Sequence, residues 1–307
     1  MSQKTSARVM LAMLNISIWI ARAYDNKATN EVKEKHNREK DIGRFNKRLL
    51  PENAPTYERV CEIGRRTRQR FYNFSLQYGQ DGIRLLPADA YLALAAEVRM
   101  LRAEFEDAVE AFIDDVENLK TVAKVELNGL YSDGDYPSTA ELRKKFDFRF
   151  KVLPFPDAEQ FGVSLPEEDL AEIRQSINQH IIEATDTGMQ DLWDRLYDVV
   201  VKLTERLSQP KARIRDELIA NTQELVTLLP KLNFTGDTKL AEFCELTASR
   251  LASQNAEDLR SSTGHRISVA KQAAEIQLQM AAYMGIPLPA NFGVSAETAP
   301  PFGGLLA

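Results

Sequence analysis

The sequence predicts an α+β protein that is predominantly α-helical, with long antiparallel, coiled-coil-like helices and a small sheet of about three strands. First, apolar residues recur every three or four positions from Tyr91 to Leu127, without Gly or Pro, which predicts one helix roughly 50 Å long. Second, apolar and polar residues alternate at 14–20 and at 146–152. Third, five further segments with helical periodicity follow Ser164.

The strands are predicted from alternation and from their boundaries. A first strand is predicted over 9–21, where isoleucines alternate with polar residues and β-branched side chains are frequent. A short strand at 83–86 ends at Pro87, and a third at 146–152 ends before Pro154. Because helices separate these strands, we expect one small sheet packed against the long helix. The charge-dense segment 25–48 is predicted to be a mobile loop or a solvated helix.

A second helix, rich in arginine, is predicted from Tyr57 to about Gly79, and it precedes the long helix in the chain. One face of the long helix carries the core stripe, and the other is strongly acidic. The acidic residues of that face are Glu97, Glu104, Glu106, Asp107, Glu110, Asp114, Asp115 and Glu117. They indicate either a solvated face or a docking surface for a basic partner.

Three regions follow from this pattern. Residues 1–160 hold the small sheet, the basic helix and the long acidic helix, and residues 161–285 form a helical bundle. Residues 286–307 are rich in Pro, Gly and Ala, which predicts a flexible tail.

Composition predicts a globular protein in a reducing, cytoplasmic compartment. The 307 residues are 44% apolar, enough to bury a core, and Cys61 and Cys244 are too few for a disulfide framework. The apolar run at 9–20 is shorter than the roughly 20 residues that a membrane-spanning helix needs. We therefore expect no membrane association. Charge is uneven, since residues 1–90 hold 17 Lys and Arg against 10 Asp and Glu, whereas residues 91–307 hold 22 against 35.

Motifs for enzyme chemistry are missing from the sequence. It contains no glycine-rich phosphate loop, no dinucleotide-binding motif and no G-x-S-x-G. His36, His180 and His265 lack a second ligand at a metal-binding spacing. We therefore predict no enzyme and no cofactor. A hydrolase whose site unites His180, His265 and carboxylates is the remaining catalytic alternative.

The basic cluster is the most distinctive feature of the sequence. Arg66 and Arg70 share one helix face and Arg65 and Arg68 share another. The cluster is interpreted as ion pairs with the acidic face of the long helix, as a nucleic-acid contact, or as a site for an acidic protein. Trp19 beside Arg22 is interpreted as a cap on the sheet or as an exposed binding anchor, and its burial distinguishes the two. The candidate binding residues are Lys47, Arg48, Arg65, Arg66, Arg68, Arg70, Trp19 and Arg22.

A family resemblance is carried by Leu14-Asn15-Ile16-Ser17-Ile18-Trp19 followed by Arg22, by Lys47-Arg48-Leu49-Leu50-Pro51, and by the helical remainder up to about Met284. These features resemble an uncharacterised family of tailed-phage and plasmid genomes, often encoded near a MoxR-type AAA ATPase and a von Willebrand A-domain protein. The resemblance implies a mobile-element protein in a cytosolic setting, with a partner role beside an ATPase module. It assigns no catalytic residue.

These observations together predict a non-enzymatic interaction protein of a phage or plasmid. Its partner would be another protein, either an AAA ATPase assembly or a second copy of the chain, bound through extended helical surfaces. The alternative is a nucleic-acid-binding protein that uses the basic N-terminal helix, and strong salt dependence of binding would distinguish it.

Overall fold

The computed structural model of the chain describes residues 8–36, 43–79, 82–209 and 212–287. Within these residues the protein is mainly helical α+β, as predicted, and it forms two compact units, Met1–Asp191 and Leu192–Ala307. The described ranges contain six strands: β1 (Val9–Ser17), β2 (Arg22–Tyr24), β3 (Asn46–Arg48), β4 (Leu76–Gln77), β5 (Ile83–Pro87) and β6 (Asp147–Pro154).

The described residues contain nine α-helices: α1 (Asn26–Lys35), α2 (Pro55–Phe74), α3 (Ala88–Leu127), α4 (Thr139–Arg143), α5 (Glu167–Ser208), α6 (Asp216–Leu232), α7 (Thr238–Thr247), α8 (Ala256–Ser261) and α9 (Thr263–Met284). A π-helical turn, Ala248–Ala252, continues α7. Two of the five helical segments predicted after Ser164, at 167–183 and 189–208, are joined in the single helix α5, and the boundary between the two units lies inside this helix. The tail predicted at 286–307 lies, from residue 288 onward, outside the described residues.

Unit 1 is built on an antiparallel sheet with the strand order β4-β5-β1-β6. β1 lies in the middle, where its register with β6 runs from Met10↔Pro154 to Ser17↔Asp147. β1 ends four residues earlier than predicted. Alternation continues past Ser17, but Ala21 has a left-handed φ of 53°, which turns the chain out of the sheet.

α3 supplies the hydrophobic stripe that covers unit 1, as the periodicity predicts. Its buried side chains include Leu94, Val98, Leu101, Phe105, Phe112, Val116 and Leu119. The Phe112 ring is surrounded by the rings of Trp19, Tyr57 and Phe146, with centroids at 6.3, 5.5 and 5.7 Å. A tilted or edge-on arrangement at these separations adds to the free energy of apolar burial. Phe112 is therefore the centre of this core.

The described parts of the charge-dense segment, 25–36 and 43–48, contain a helix and a strand. Asp25 caps α1 by accepting a hydrogen bond from the Ala28 amide at 2.9 Å, and β2 pairs with β3 in a separate antiparallel ribbon. The sequence predicts a helix as one alternative here but not the ribbon, because a strand of three residues has no measurable periodicity.

Unit 2 contains only helices among its described residues. Leu192, Leu196, Val200 and Leu203 form the buried face that α5 gives to this unit. The Trp193 ring lies 4.9 Å from that of Tyr283 and 5.8 Å from that of Phe243, and its indole NH donates to Asp237 at 3.1 Å. No helix in the described part of the chain is both long enough and apolar enough to cross a membrane.

Candidate binding surfaces

The arginine cluster of α2 divides between two roles. Arg70 binds Glu97 of α3 in a bidentate ion pair, with Nε–Oε2 and Nη2–Oε1 distances of 2.8 and 2.7 Å, and Arg66 pairs with Glu104. This confirms the prediction that one face of the cluster pairs with the acidic face of the long helix. Arg66 and Arg70 therefore hold α2 against α3 and are already engaged within the protein.

Arg68 lies on the other face of α2, and its Nη2 donates to the Ile16 carbonyl at 2.7 Å. Ile16 belongs to β1 but lies beyond Met13, the last residue that β5 pairs with. Arg68 thus satisfies a carbonyl that lacks a neighbouring strand on the β5 side. Arg65 is exposed and has no ion pair among the described residues. The four arginines therefore do not form one site.

Trp19 is buried, with 8% of its surface exposed, so its interpretation as an exposed anchor is wrong. Its ring packs on Phe112, and its carbonyl accepts a hydrogen bond from the Tyr57 hydroxyl at 2.6 Å. The next residue, Ile20, is 75% exposed instead. Ala21 then adopts its left-handed φ, with its carbonyl held by the Leu49 amide at 2.9 Å. The turn therefore places Trp19 in the core and projects Ile20 outward.

Lys47 is also internal, with 7% of its side chain exposed, which corrects its assignment as a binding residue. Its Nζ lies 2.7 Å from Asp135 and 3.1 Å from Asp25, and it donates to the Leu130 carbonyl at 2.6 Å. Burial opposes the charge on Lys47, but the hydrogen bonds to Asp135 and Asp25 outweigh burial and raise its pKa. Lys47 thus links the ribbon to α1 and to the segment that follows α3.

Arg22 and Arg48 are brought together by the register of the ribbon. The pairs are Arg22↔Arg48, Ala23↔Lys47 and Tyr24↔Asn46. Because side chains alternate between faces, Ala23 and Lys47 point inward, and the other four form one exposed face. We call this the ribbon outer face: Arg22, Tyr24, Asn46 and Arg48. Tyr24 and Asn46 were not predicted as site residues.

A second exposed surface lies on α3, away from its buried stripe. We call nine exposed residues of this side the α3 outer face: Leu92, Ala96, Met100, Ala103, Asp107, Ala111, Asp114, Asn118 and Val125. At 3.6 residues per turn, all nine lie within an arc of about 100°. Asp89, Ala93, Glu110 and Thr121 are also exposed within the same arc. Leu92 and Met100 are 77% and 62% exposed, respectively. The periodicity of the core stripe identified the opposite side of the helix but not this apolar strip.

Most acidic groups of α3 form ion pairs or hydrogen bonds within the protein. A face that is only solvated would not need such partners. Beyond Glu97 and Glu104, Glu110 pairs with Arg143, Glu106 with Arg102 and Glu117 with Lys120, while Asp115 accepts from the Thr56 hydroxyl. Among the described residues, Asp107 and Asp114 of the α3 outer face have no such partner. These two carboxylates remain accessible to another molecule.

The histidines and cysteines considered for chemistry are His180, His265, Cys61 and Cys244, and each has contacts within its own unit. His180 lies in unit 1 with its ring 5.0 Å from that of Tyr78, and His265 lies in unit 2 with Nε2 3.0 Å from Gln254 Oε1. Burial raises the pKa of Cys61 and raises that of Cys244 to about 11, which keeps both thiols protonated at neutral pH. In the described ranges, no group of three or more His, Cys, Asp and Glu is placed to hold a metal ion.

Comparison with known proteins adds no assignment to these surfaces. No family model matches the chain, and no match was found among curated proteins or solved structures. The resemblance to the phage and plasmid family stays a prediction.

Proposed function

We propose that this protein is a non-enzymatic interaction protein whose partner protein docks on the α3 outer face. The observation that carries the proposal is the exposure of Leu92 and Met100 at the start of a continuous face on a 40-residue helix. Contiguous apolar side chains exposed on a stable helix are typical of interaction surfaces. The alanines of the same face allow a second helix to approach closely.

The chemistry of the face favours a partner helix that is apolar with basic flanks. Leu92, Ala96, Met100 and Ala103 supply an apolar half, and Asp107 and Asp114 supply charge in the middle of the face. A helix that presents apolar residues at i, i+3, i+4 and i+7 would cover the apolar half. Lysines or arginines on it would pair with the two carboxylates.

Self-association through this face is disfavoured by the same charges. If two copies packed along the whole face, parallel in register or antiparallel about its middle, Asp107 and Asp114 of one copy would lie close to the same carboxylates of the other. Like charges placed against each other on packed helices destabilise the pair. The partner is therefore a different protein, and the family resemblance makes the neighbouring AAA ATPase assembly the first candidate to test.

The test is site-specific photocrosslinking in cells that carry the mobile element. A photoreactive residue replaces Ala103, in the middle of the α3 outer face, and the control places it at exposed Asn178 of α5. We expect a protein adduct at position 103 that survives nuclease treatment, with a Lys- or Arg-containing helix as the attached peptide. Leu92→Glu with Met100→Glu should reduce the adduct at least tenfold, since central apolar anchors dominate binding.

A matched control makes the same charge change elsewhere in unit 1. Val163→Glu with Leu165→Glu alters two other exposed apolar residues and should leave the adduct unchanged. Equal adducts from positions 103 and 178, an adduct with a second copy of the chain, or recovery of nucleic acid alone would each contradict the proposal.

A further inference from the structure

The ribbon outer face places two arginines, Arg22 and Arg48, opposite each other across its two strands. The Leu49 amide donates to the Ala21 carbonyl and the Asp25 amide donates to the Phe45 carbonyl, each at 2.9 Å. Hydrogen-bonded and non-hydrogen-bonded pairs alternate along an antiparallel ladder. Arg22 and Arg48 are therefore a non-hydrogen-bonded pair, in which facing Cβ atoms are only about 4.5–5.5 Å apart.

Positive charge on this face has no acidic partner among the described residues. Among the described residues, neither Arg22 nor Arg48 forms an ion pair, and the same holds for Arg44, whose Cζ lies 6.0 Å from the centre of the Tyr24 ring. Two guanidinium groups side by side destabilise the ribbon unless an anion lies between them. The arrangement therefore favours a bound anion with oxygen atoms that accept paired hydrogen bonds.

The basic groups of the ribbon lie near one another. Arg22 and Arg48 are cross-strand neighbours, and Arg44 lies beside the Tyr24 ring of the same face. A ligand with regularly spaced negative charges would contact more of this surface than a single small anion.

Tyr24 and Asn46 indicate which polyanion fits. The Tyr24 ring is partly exposed on the same face as the two arginines, and a base can stack on such a ring. Asn46 beside it offers an amide donor and acceptor to a base edge. We propose that the ribbon outer face binds single-stranded nucleic acid, with phosphates on Arg22 and Arg48 and a base on Tyr24.

The unpaired state of the strand follows from the aromatic contact. A base within a duplex is stacked on both sides and cannot cover Tyr24. This site is independent of the α3 outer face, and either proposal can fail without the other.

The test measures binding of the full-length protein to a fluorescent single strand of mixed sequence, about 15 nucleotides long, by anisotropy across a salt series. Arg22→Ala with Arg48→Ala should weaken binding at least tenfold and reduce the slope of log K against log salt by about 1.4, from about 0.7 per phosphate. Tyr24→Ala should weaken binding about tenfold.

The matched control removes two exposed arginines from α3. Arg99→Ala with Arg102→Ala makes the same change in net charge and should leave affinity and salt slope unchanged. Circular dichroism should show that all variants keep the helical content of the wild type. Equal loss in the control and ribbon variants, undetectable binding by the wild type, equal affinity for the matched duplex, or equal affinity for polyglutamate would each overturn the proposal.

Discussion

The two faces of the β2–β3 ribbon differ in whether their basic side chains form ion pairs among the described residues. Lys47, on the inner face, is surrounded by Asp25, Asp135 and a backbone carbonyl. Arg48, the next residue, lies on the outer face opposite Arg22, without an ion pair in the described part of the chain. Adjacent basic residues thus have different roles, because alternation in a strand places one in a prepared acidic environment and the other in solvent.

The difference teaches that charge clusters in a sequence must be separated by face before they are interpreted. The same separation applies to α2, where Arg66 and Arg70 pair with α3 while Arg65 remains exposed. A compensated cation stabilises the fold, and an uncompensated one is available to a ligand. Five predictions follow, from the largest expected effect to the smallest.

Lys47→Met should lower the free energy of unfolding by about 3 kcal/mol, because removing one partner leaves the others of a buried ion pair uncompensated. Equilibrium urea unfolding followed by circular dichroism measures the change. The control is Arg48→Met, which makes a comparable change in size and charge at the next residue. It should change the free energy of unfolding by less than about 0.5 kcal/mol. If both variants lost the same free energy of unfolding, the proposed difference between the inner and outer faces would be wrong.

Low pH should weaken the contact between Asp25 and Lys47 on the inner face of the ribbon. The hydrogen bond from the Ala28 amide, followed by that from Lys47, lowers the pKa of Asp25 below its usual 3.8. A lowered folded pKa contributes stability that is fully present above the unfolded value and is lost as pH falls through the folded value. The wild type should therefore lose more stability between pH 7 and pH 3 than Lys47→Met does. Identical losses, measured as urea midpoints, would contradict this assignment.

High pH should also lower the stability that the contacts between Lys47 and Asp25 provide, in this case by removing the proton from Lys47. The folded pKa of Lys47 is raised above its usual 10.5, so its contribution is present below that value and is lost as pH rises through the folded value.

Ala21→Gly should stabilise the protein by about 1 kcal/mol, because glycine adopts a left-handed φ without the steric cost that alanine carries. The melting temperature measures the gain. Ala23→Gly, two residues later within β2, should instead lower it, since glycine weakens a strand interior. A loss of stability in Ala21→Gly would show that the turn is not strained.

Arg48→Thr should raise stability by about 0.3 kcal/mol at low salt, since it removes a cross-strand like-charge contact. The gain should vanish near 1 M salt, where the Debye length is about 3 Å. Arg102→Thr should have the opposite sign, because Arg102 forms a favourable pair with Glu106 at 2.8 Å. A gain that persists in high salt would have a cause other than charge.

Patterns within a continuous stretch of sequence predicted most of the fold. α3 was predicted from Tyr91 and begins at Ala88, and the strand predicted at 146–152 is present at Asp147–Pro154. The strand predicted at 83–86 is β5. These elements are long, or bounded by proline, so their periodicity and ends are visible without tertiary contacts.

The candidate surfaces were less accessible to prediction from sequence. Arg22 and Arg48 were identified as candidates, but their pairing depends on a register between two three-residue strands. Trp19 and Lys47 were candidates too, and their burial removed them. Tyr24 and Asn46 gave no signal, since each becomes significant only beside the arginines.

The sequence by itself determined which segments are helical, which alternate and where charge is concentrated, because these depend on spacings of two to four residues along the chain. Tertiary structure decided which charges are compensated. Lys47 meets Asp135 across 88 positions of the chain, and Arg70 meets Glu97 across 27. Such contacts depend on how separate elements pack, and the packing of α2, α3 and the ribbon leaves Arg22 and Arg48 in solvent.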